Sequence, residues 1–181
     1  MKVIQLSDPH LGPRDHDDGL RRAANRRAWD HAEHVADALR ARPDTDELVI
    51  VVTGDLTDEG HVNPSELPPA AGWLASLPGA VYAVPGNHDV GNFVSSTATP
   101  TVSERYLAQW QNAVGPDRFA YAADGHRLIG LNSMLIGSGL PPEAEQADWL
   151  HGQLDAADAA GESVWVFQHA PLFLRAADEV R

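Results

Sequence analysis

Cysteine is absent from this 181-residue chain. Disulfides and thiolate metal sites are therefore excluded, and any metal chemistry falls to His, Asp, Glu and Asn, donors for hard and borderline cations. Basic residues are scarce as well: 13 Lys and Arg stand against 26 Asp and Glu, a formal charge of -13 at pH 7. Nucleic-acid affinity ordinarily comes from cationic side chains that release counterions, so polymeric DNA or RNA is disfavoured as a partner. A small anionic substrate is not disfavoured, because bound cations supply local positive charge. No apolar run reaches the length of a signal-peptide core or a membrane span, which predicts a cytoplasmic protein with no membrane partner. Internal repeats, long linkers and low-complexity segments are missing too. What is present is 43% apolar and 22% charged residues, the balance of a soluble folded body, at a length that predicts one domain over residues 1–181.

Short runs rich in β-branched residues at 3–6, 48–52 and 80–84 predict strands, the second nearly continuous and so buried on both faces. Between the first two, Ala28, Ala32, Val35, Ala36 and Leu39 recur at helical spacing, with Arg26, Asp30, Glu33 and Arg40 on other faces and Pro43 just beyond. Residues 69–77 read as a second helix, opened by proline and followed by Pro78-Gly79. The order β-α-β-α-β predicts parallel strands with right-handed crossovers. Residues 91–100 read as a Ser/Thr-rich loop and 103–114 as a helix capped by Thr101 or Ser103. Two further strands, 119–123 and 127–131, flank Asp124-Gly125, a strong hairpin signal. Pro141-Pro142 opens another helix, with Ala147, Leu150 and Leu154 on one side and Gly161 as its stop; 164–167 is the last strand. Trp73, Trp110 and Trp149 lie on helical segments and read as core or interface aromatics.

In open α/β sheets ligands collect beyond the carboxyl ends of the strands. Four apolar runs here end in metal-type ligands: Asp8-Pro9-His10 after the first, Gly54-Asp55 after the second, Gly86-Asn87-His88-Asp89 after the third and His169-Ala170-Pro171 after the last. Taken singly, each has an ordinary structural reading. Asp8, His10 and Asp55 suit turn caps, Asn87-His88 an Asx turn, His169 a satisfied strand-end histidine and Asp58 a solvated loop carboxylate. Taken together, four such coincidences would have to fall on one sheet edge. The string Gly-Asn-His-Asp alone is expected by chance in well under about 1% of chains this long. His31 and His34, three apart on the first helix, read as an exposed face, and His16, His61, His126 and His151 as solvent-facing.

The blocks Asp-x-His, Gly-Asp, Gly-Asn-His-Asp and His-x-Pro, with 54–60 as the second, resemble those of the calcineurin-like metallophosphoesterase family over residues 8–171. The resemblance implies an α/β fold, an αββα sandwich with a mixed sheet. It also implies two divalent or trivalent ions (manganese, iron or zinc). Asp8 and His10 would bind the first, Asn87 and His169 the second, and Asp55 would bridge them. His88 would be the general acid and Asp58 would orient it. A carboxylate can give one oxygen to each of two cations about 3.5 to 4 Å apart, and a hydroxide bridging such a pair is a nucleophile at neutral pH.

Residues 128–133, Gly139-Leu140 and 145–150 are similar to the class III cyclic-nucleotide phosphodiesterase branch. That implies phosphodiester hydrolysis of small substrates, cyclic nucleotides among them. Glu59 stands where the protein-phosphatase branch has arginine. A phosphomonoesterase, a nucleotide pyrophosphatase and a manganese-dependent nuclease are the enzymatic alternatives, and a non-catalytic scaffold on the same fold is the alternative of another class. The family's closing Gly-His-x-His block is missing: 12 residues follow His169, none of them histidine. The expectation is a chain truncated at its C-terminus, without the last part of the second sheet. The sequence leaves oligomeric state open, a homo-oligomer included.

Overall fold

The first three strands, β1 (Lys2–Leu6), β2 (Leu48–Thr53) and β3 (Ala80–Val84), form one parallel sheet in the order β1-β2-β3. The computed structural model describes residues 1–93 and 100–171; most of the loop expected at 91–100 lies outside them. Helix α1 (Gly19–Arg40) joins β1 to β2, and α2 (Leu67–Ser76) joins β2 to β3. A single turn, α3 (Asn87–Val90), follows β3, and α4 (Glu104–Ala113) leads to the second sheet. That sheet has the order β4-β5-β6: β4 (Phe119–Ala123) runs antiparallel to β5 (His126–Gly130), and β6 (Ser163–Phe167) runs parallel to β5 after α5 (Pro141–Ala160).

Every residue of β2 is buried, and its alternation divides the core. Leu48, Ile50 and Val52 face the cluster built by Trp29, Ala32, Ala36 and Leu39 of α1 and by Trp73 and Leu74 of α2. Val49 and Val51 face Leu128 and Phe167 of the second sheet. With α5 against β5 and β6, the layers run helix, sheet, sheet, helix, each covering the apolar face of the next. β6 pairs with β5 alone among the described residues. Val164, Trp165 and Val166 are 39%, 50% and 50% exposed there, so among the described residues β6 is the edge strand of its sheet.

Local chemistry explains most boundaries. Asp18 caps α1 by accepting from the main-chain N–H groups of Leu20 and Arg21, at 2.8 and 2.9 Å, and those bonds hold its carboxyl below the usual range. Ser103 caps α4. Asp124 and Gly125 adopt φ of 53° and 74°, the two left-handed positions of a tight hairpin turn, which sets Ala123 opposite His126. β5 therefore starts one residue before the expected 127. Helix α2 starts two residues before the expected 69, because Pro68 and Pro69 sit in its first turn, where no N–H is needed.

One expected face is corrected. Of Ala147, Leu150 and Leu154 on α5, Ala147 and Leu154 are exposed, while Gln146 and Ala157 are buried. The packed side carries amides: Gln146 exchanges two hydrogen bonds with the main chain of Asn132, at 2.9 and 3.1 Å, and Gln153 accepts from Arg127. Satisfied amides can face a sheet, so an apolar stripe misidentifies the contact side. Trp73 and Trp110 are buried, as expected, at 6% and 0% exposure.

Candidate metal centre

The loops after β1 and β2 run side by side beyond the sheet. The N–H groups of Asp8, His10 and Leu11 donate to the carbonyls of Gly54, Asp55 and Leu56 at 3.2, 3.0 and 2.9 Å. This pairing holds Asp8, His10 and Asp55 at φ of 56°, 48° and 49°, left-handed conformations that side-chain-bearing residues rarely adopt. Three of the four non-glycine residues with positive φ among those described are thus predicted ligands, and strain of this kind concentrates at functional sites.

Asp55 is buried at the centre. Its Oδ2 lies 3.7 Å from Nε2 of His10, and its Oδ1 lies 3.4 Å from Nε2 of His169 and accepts from the main-chain N–H of His88 at 3.0 Å. His10 is also 3.9 Å from Oδ1 of Asp8, and Oδ1 of Asn87 is 3.2 Å from Nε2 of His169. Ligand atoms of Asp8, Asp55 and His169 all fall within 4.8 Å of one another. The structure thus brings Asp8, His10, Asp55, Asn87 and His169 together at one rim shared by the two sheets.

The donor set suits a cation. His169 reaches the carbonyl of Thr53 through Nδ1 at 3.1 Å, so that nitrogen carries the ring proton and Nε2 of the neutral imidazole is a lone pair. In that form Nε2 faces two acceptors, Asn87 Oδ1 and Asp55 Oδ1, an arrangement that a cation among the three atoms would satisfy. Carboxylate, amide and imidazole atoms aimed at one point fit manganese, iron or zinc without selecting among them.

Two glycines clear the space. Gly54, at φ of 84°, both makes the turn and abuts His169, where a Cβ would collide with the imidazole. Gly86, by contrast, has ordinary extended backbone. Its contribution is room, since a Cβ there would overlap the Asp55 carboxylate.

His88 and Asp58 stand beside this group. A nitrogen of His88 and a carboxylate oxygen of Asp58 lie within 4.8 Å of each other and of a His10 nitrogen, and the His10 and His88 rings meet edge to face, 4.7 Å between centroids. The direct hydrogen bond from His88 Nδ1 goes to the main-chain oxygen of Asp58. Glu59, next along the loop, pairs with Arg21 of α1 at 2.9 Å.

Two residues that shape the site were given no role from the sequence. Asp89 is fully buried and accepts four hydrogen bonds, from the N–H groups of Leu56, Thr57 and Gly86 and from the Thr57 hydroxyl, at 2.7 to 3.1 Å. Burial pushes its carboxyl up, against those hydrogen bonds. Its signal was its place in the Gly-Asn-His-Asp string. His61, expected to face solvent, is 4% exposed and bonds to the His88 carbonyl. No sequence signal separates it from an exposed loop histidine. His31 and His34 are exposed, as expected.

A family profile described as calcineurin-like phosphoesterase matches residues 1–180. Over 100 residues the chain is 38% identical to a Danio rerio protein named serine/threonine-protein phosphatase CPPED1, covering 53% of this chain and 30% of that one. The Homo sapiens protein of the same name is 36% identical over 100 residues, 53% of this chain and 29% of its own. The matched stretch is thus under a third of the relatives' length.

Proposed function

The chain belongs to the calcineurin-like phosphoesterase family, whose members use a dinuclear metal centre, and from that premise we propose that it hydrolyses small phosphoesters. The unbroken run of close contacts from Asp8 through His10, Asp55 and His169 to Asn87 carries this reading. In it Asp8 and His10 would hold one cation and Asn87 and His169 the other, with Asp55 as the carboxylate shared by both. A bound pair of cations supplies Lewis acidity toward phosphoryl oxygens and lowers the pKa of water toward neutrality. Asn87 and His169 contribute no charge when neutral, which leaves a loaded site attractive to a phosphate anion. His88 serves as general acid: its Nδ1 is committed to the Asp58 carbonyl, so Nε2 is the nitrogen that delivers a proton to the leaving oxygen. Asp58 fixes that tautomer through its main chain, and its carboxylate adds negative charge beside the ring.

Phosphodiesters, cyclic nucleotides among them, are the proposed substrates on the resemblance of residues 128–133 and 145–150 to that branch. The relatives' name favours a second reading, hydrolysis of serine or threonine phosphomonoesters. The proposed cell location is cytoplasmic; among the described residues no helix is long and apolar enough to cross a membrane. We propose a single domain over 1–181.

The deciding experiment compares bis(p-nitrophenyl) phosphate with p-nitrophenyl phosphate in the presence of manganese. Faster turnover of the diester supports the first reading, and faster turnover of the monoester supports the second. Absence of activity on both, in protein shown to hold two ions, removes the hydrolase reading and leaves the scaffold.

A further inference from the structure

α3 has only four residues, too few for its own helical hydrogen bonds to fix it. It carries Asn87 and His88, so its orientation must come from elsewhere. The loop after β2 supplies it. Asp89 is tied to Leu56 and Thr57, the His88 N–H to Asp55 Oδ1, and the His88 ring to the Asp58 carbonyl. The remaining polar group of the His88 backbone, its carbonyl oxygen, receives two bonds from one residue: the main-chain N–H of His61 at 3.2 Å and ring Nδ1 of His61 at 2.8 Å. A carbonyl oxygen has two lone pairs, so both are made at once.

The His61 ring is enclosed. It is 4% exposed and meets Tyr106 of α4 edge-on, 5.7 Å between centroids. It therefore acts as a fixed strut between α4 and α3.

We propose that His61 is a positioning residue for His88, holding the main chain of that residue so that its imidazole keeps the contact to the Asp58 carbonyl and the angle at which it faces His10. This rests on the reading of His88 as general acid. Deleting the His61 ring leaves one N–H on the His88 carbonyl and a gap beneath Tyr106. α3 can then rotate, and the His88 ring loses its register with the leaving oxygen. Small misplacements of a catalytic group cost up to about a hundredfold in rate.

The test uses the whole chain and two readouts. In nitrogen-15 NMR without added metal, the His88 Nδ1–H signal should exchange slowly in the wild type, lose that protection in His61→Ala and keep it in His61→Gln, whose amide also donates. Unchanged protection in His61→Ala overturns the proposal. If His61→Ala does not fold, His61→Gln and His61→Leu form the same contrast, since leucine fills space without donating. With manganese, His61→Ala should lose about tenfold more activity on an alkyl phosphoester than on a p-nitrophenyl ester, because a poor leaving group needs the acid. Equal losses on both also overturn the proposal. His88→Ala is the reference: if it shows no such leaving-group dependence, the general-acid reading fails, while the NMR contrast still reports whether His61 sets the His88 geometry.

Discussion

Oδ1 of Asp55 and Nε2 of His169 approach to 3.4 Å, although the two residues follow strands of different sheets. The other carboxylate oxygen faces His10, so Asp55 stands between the two halves of the candidate site.

Asp55→Asn is expected to abolish the proposed sharing of Asp55 by two cations, because an amide offers one oxygen where the carboxylate offers two. Protein loaded with manganese and dialysed should retain fewer ions, with affinity lowered by at least about tenfold. Elemental analysis beside the wild type checks this, and an unchanged ion count would remove Asp55 from its bridging role.

Gly54→Ala and Gly86→Ala are expected to impair metal retention for different reasons. The first forces a Cβ into left-handed backbone and against His169; the second only crowds Asp55. Gly125→Ala, also at positive φ but with open space around it, serves as the control. It should cost about 1 kcal/mol of stability and leave metal content intact. Urea titration and ion analysis of the three variants separate strain from crowding.

Asp89→Asn should destabilise the protein by about 3 kcal/mol, because the amide nitrogen is set against N–H groups that the carboxylate satisfied. Equilibrium urea unfolding measures this. A loss under about 0.5 kcal/mol, the size of an ordinary surface change, would show that the four bonds are dispensable.

Asp44 accepts two hydrogen bonds from Arg42 and one from Lys2, which hold its carboxyl well below its ordinary value of 3.8. A depressed carboxyl contributes stability that is fully present above the unfolded value and is lost as pH falls through the folded value. The Tm deficit of Asp44→Asn should therefore be constant from about pH 5 to pH 8 and shrink as acid is added below about pH 4. Calorimetric scans across that range check the sign; a deficit that widens in acid contradicts it.

The strands and the hairpin were legible because their signals are local: β-branched runs, and two adjacent residues suited to left-handed backbone. The contact side of α5 was not, since the polar Gln146 and Gln153 give no apolar signal and their partners, Asn132 and Arg127, lie outside the helix. The role of Gly86 was illegible for a related reason. Sequence reading takes glycine to mean a turn, whereas here it means clearance for Asp55.

By itself the sequence determined the order of the six strands and the four longer helices, and the chemistry available at the strand ends: with no cysteine, any cation falls to oxygen and nitrogen donors, and those donors follow the apolar runs. Only the tertiary structure decided how they are aimed. It set His88 against the main chain of Asp58, buried His61 beneath Tyr106 and gave Asp89 four donors. The physical reason is range. Strand propensity and ligand type reside in neighbouring residues, whereas the partner of a buried polar group is whichever distant segment folding brings within about 3 Å of it.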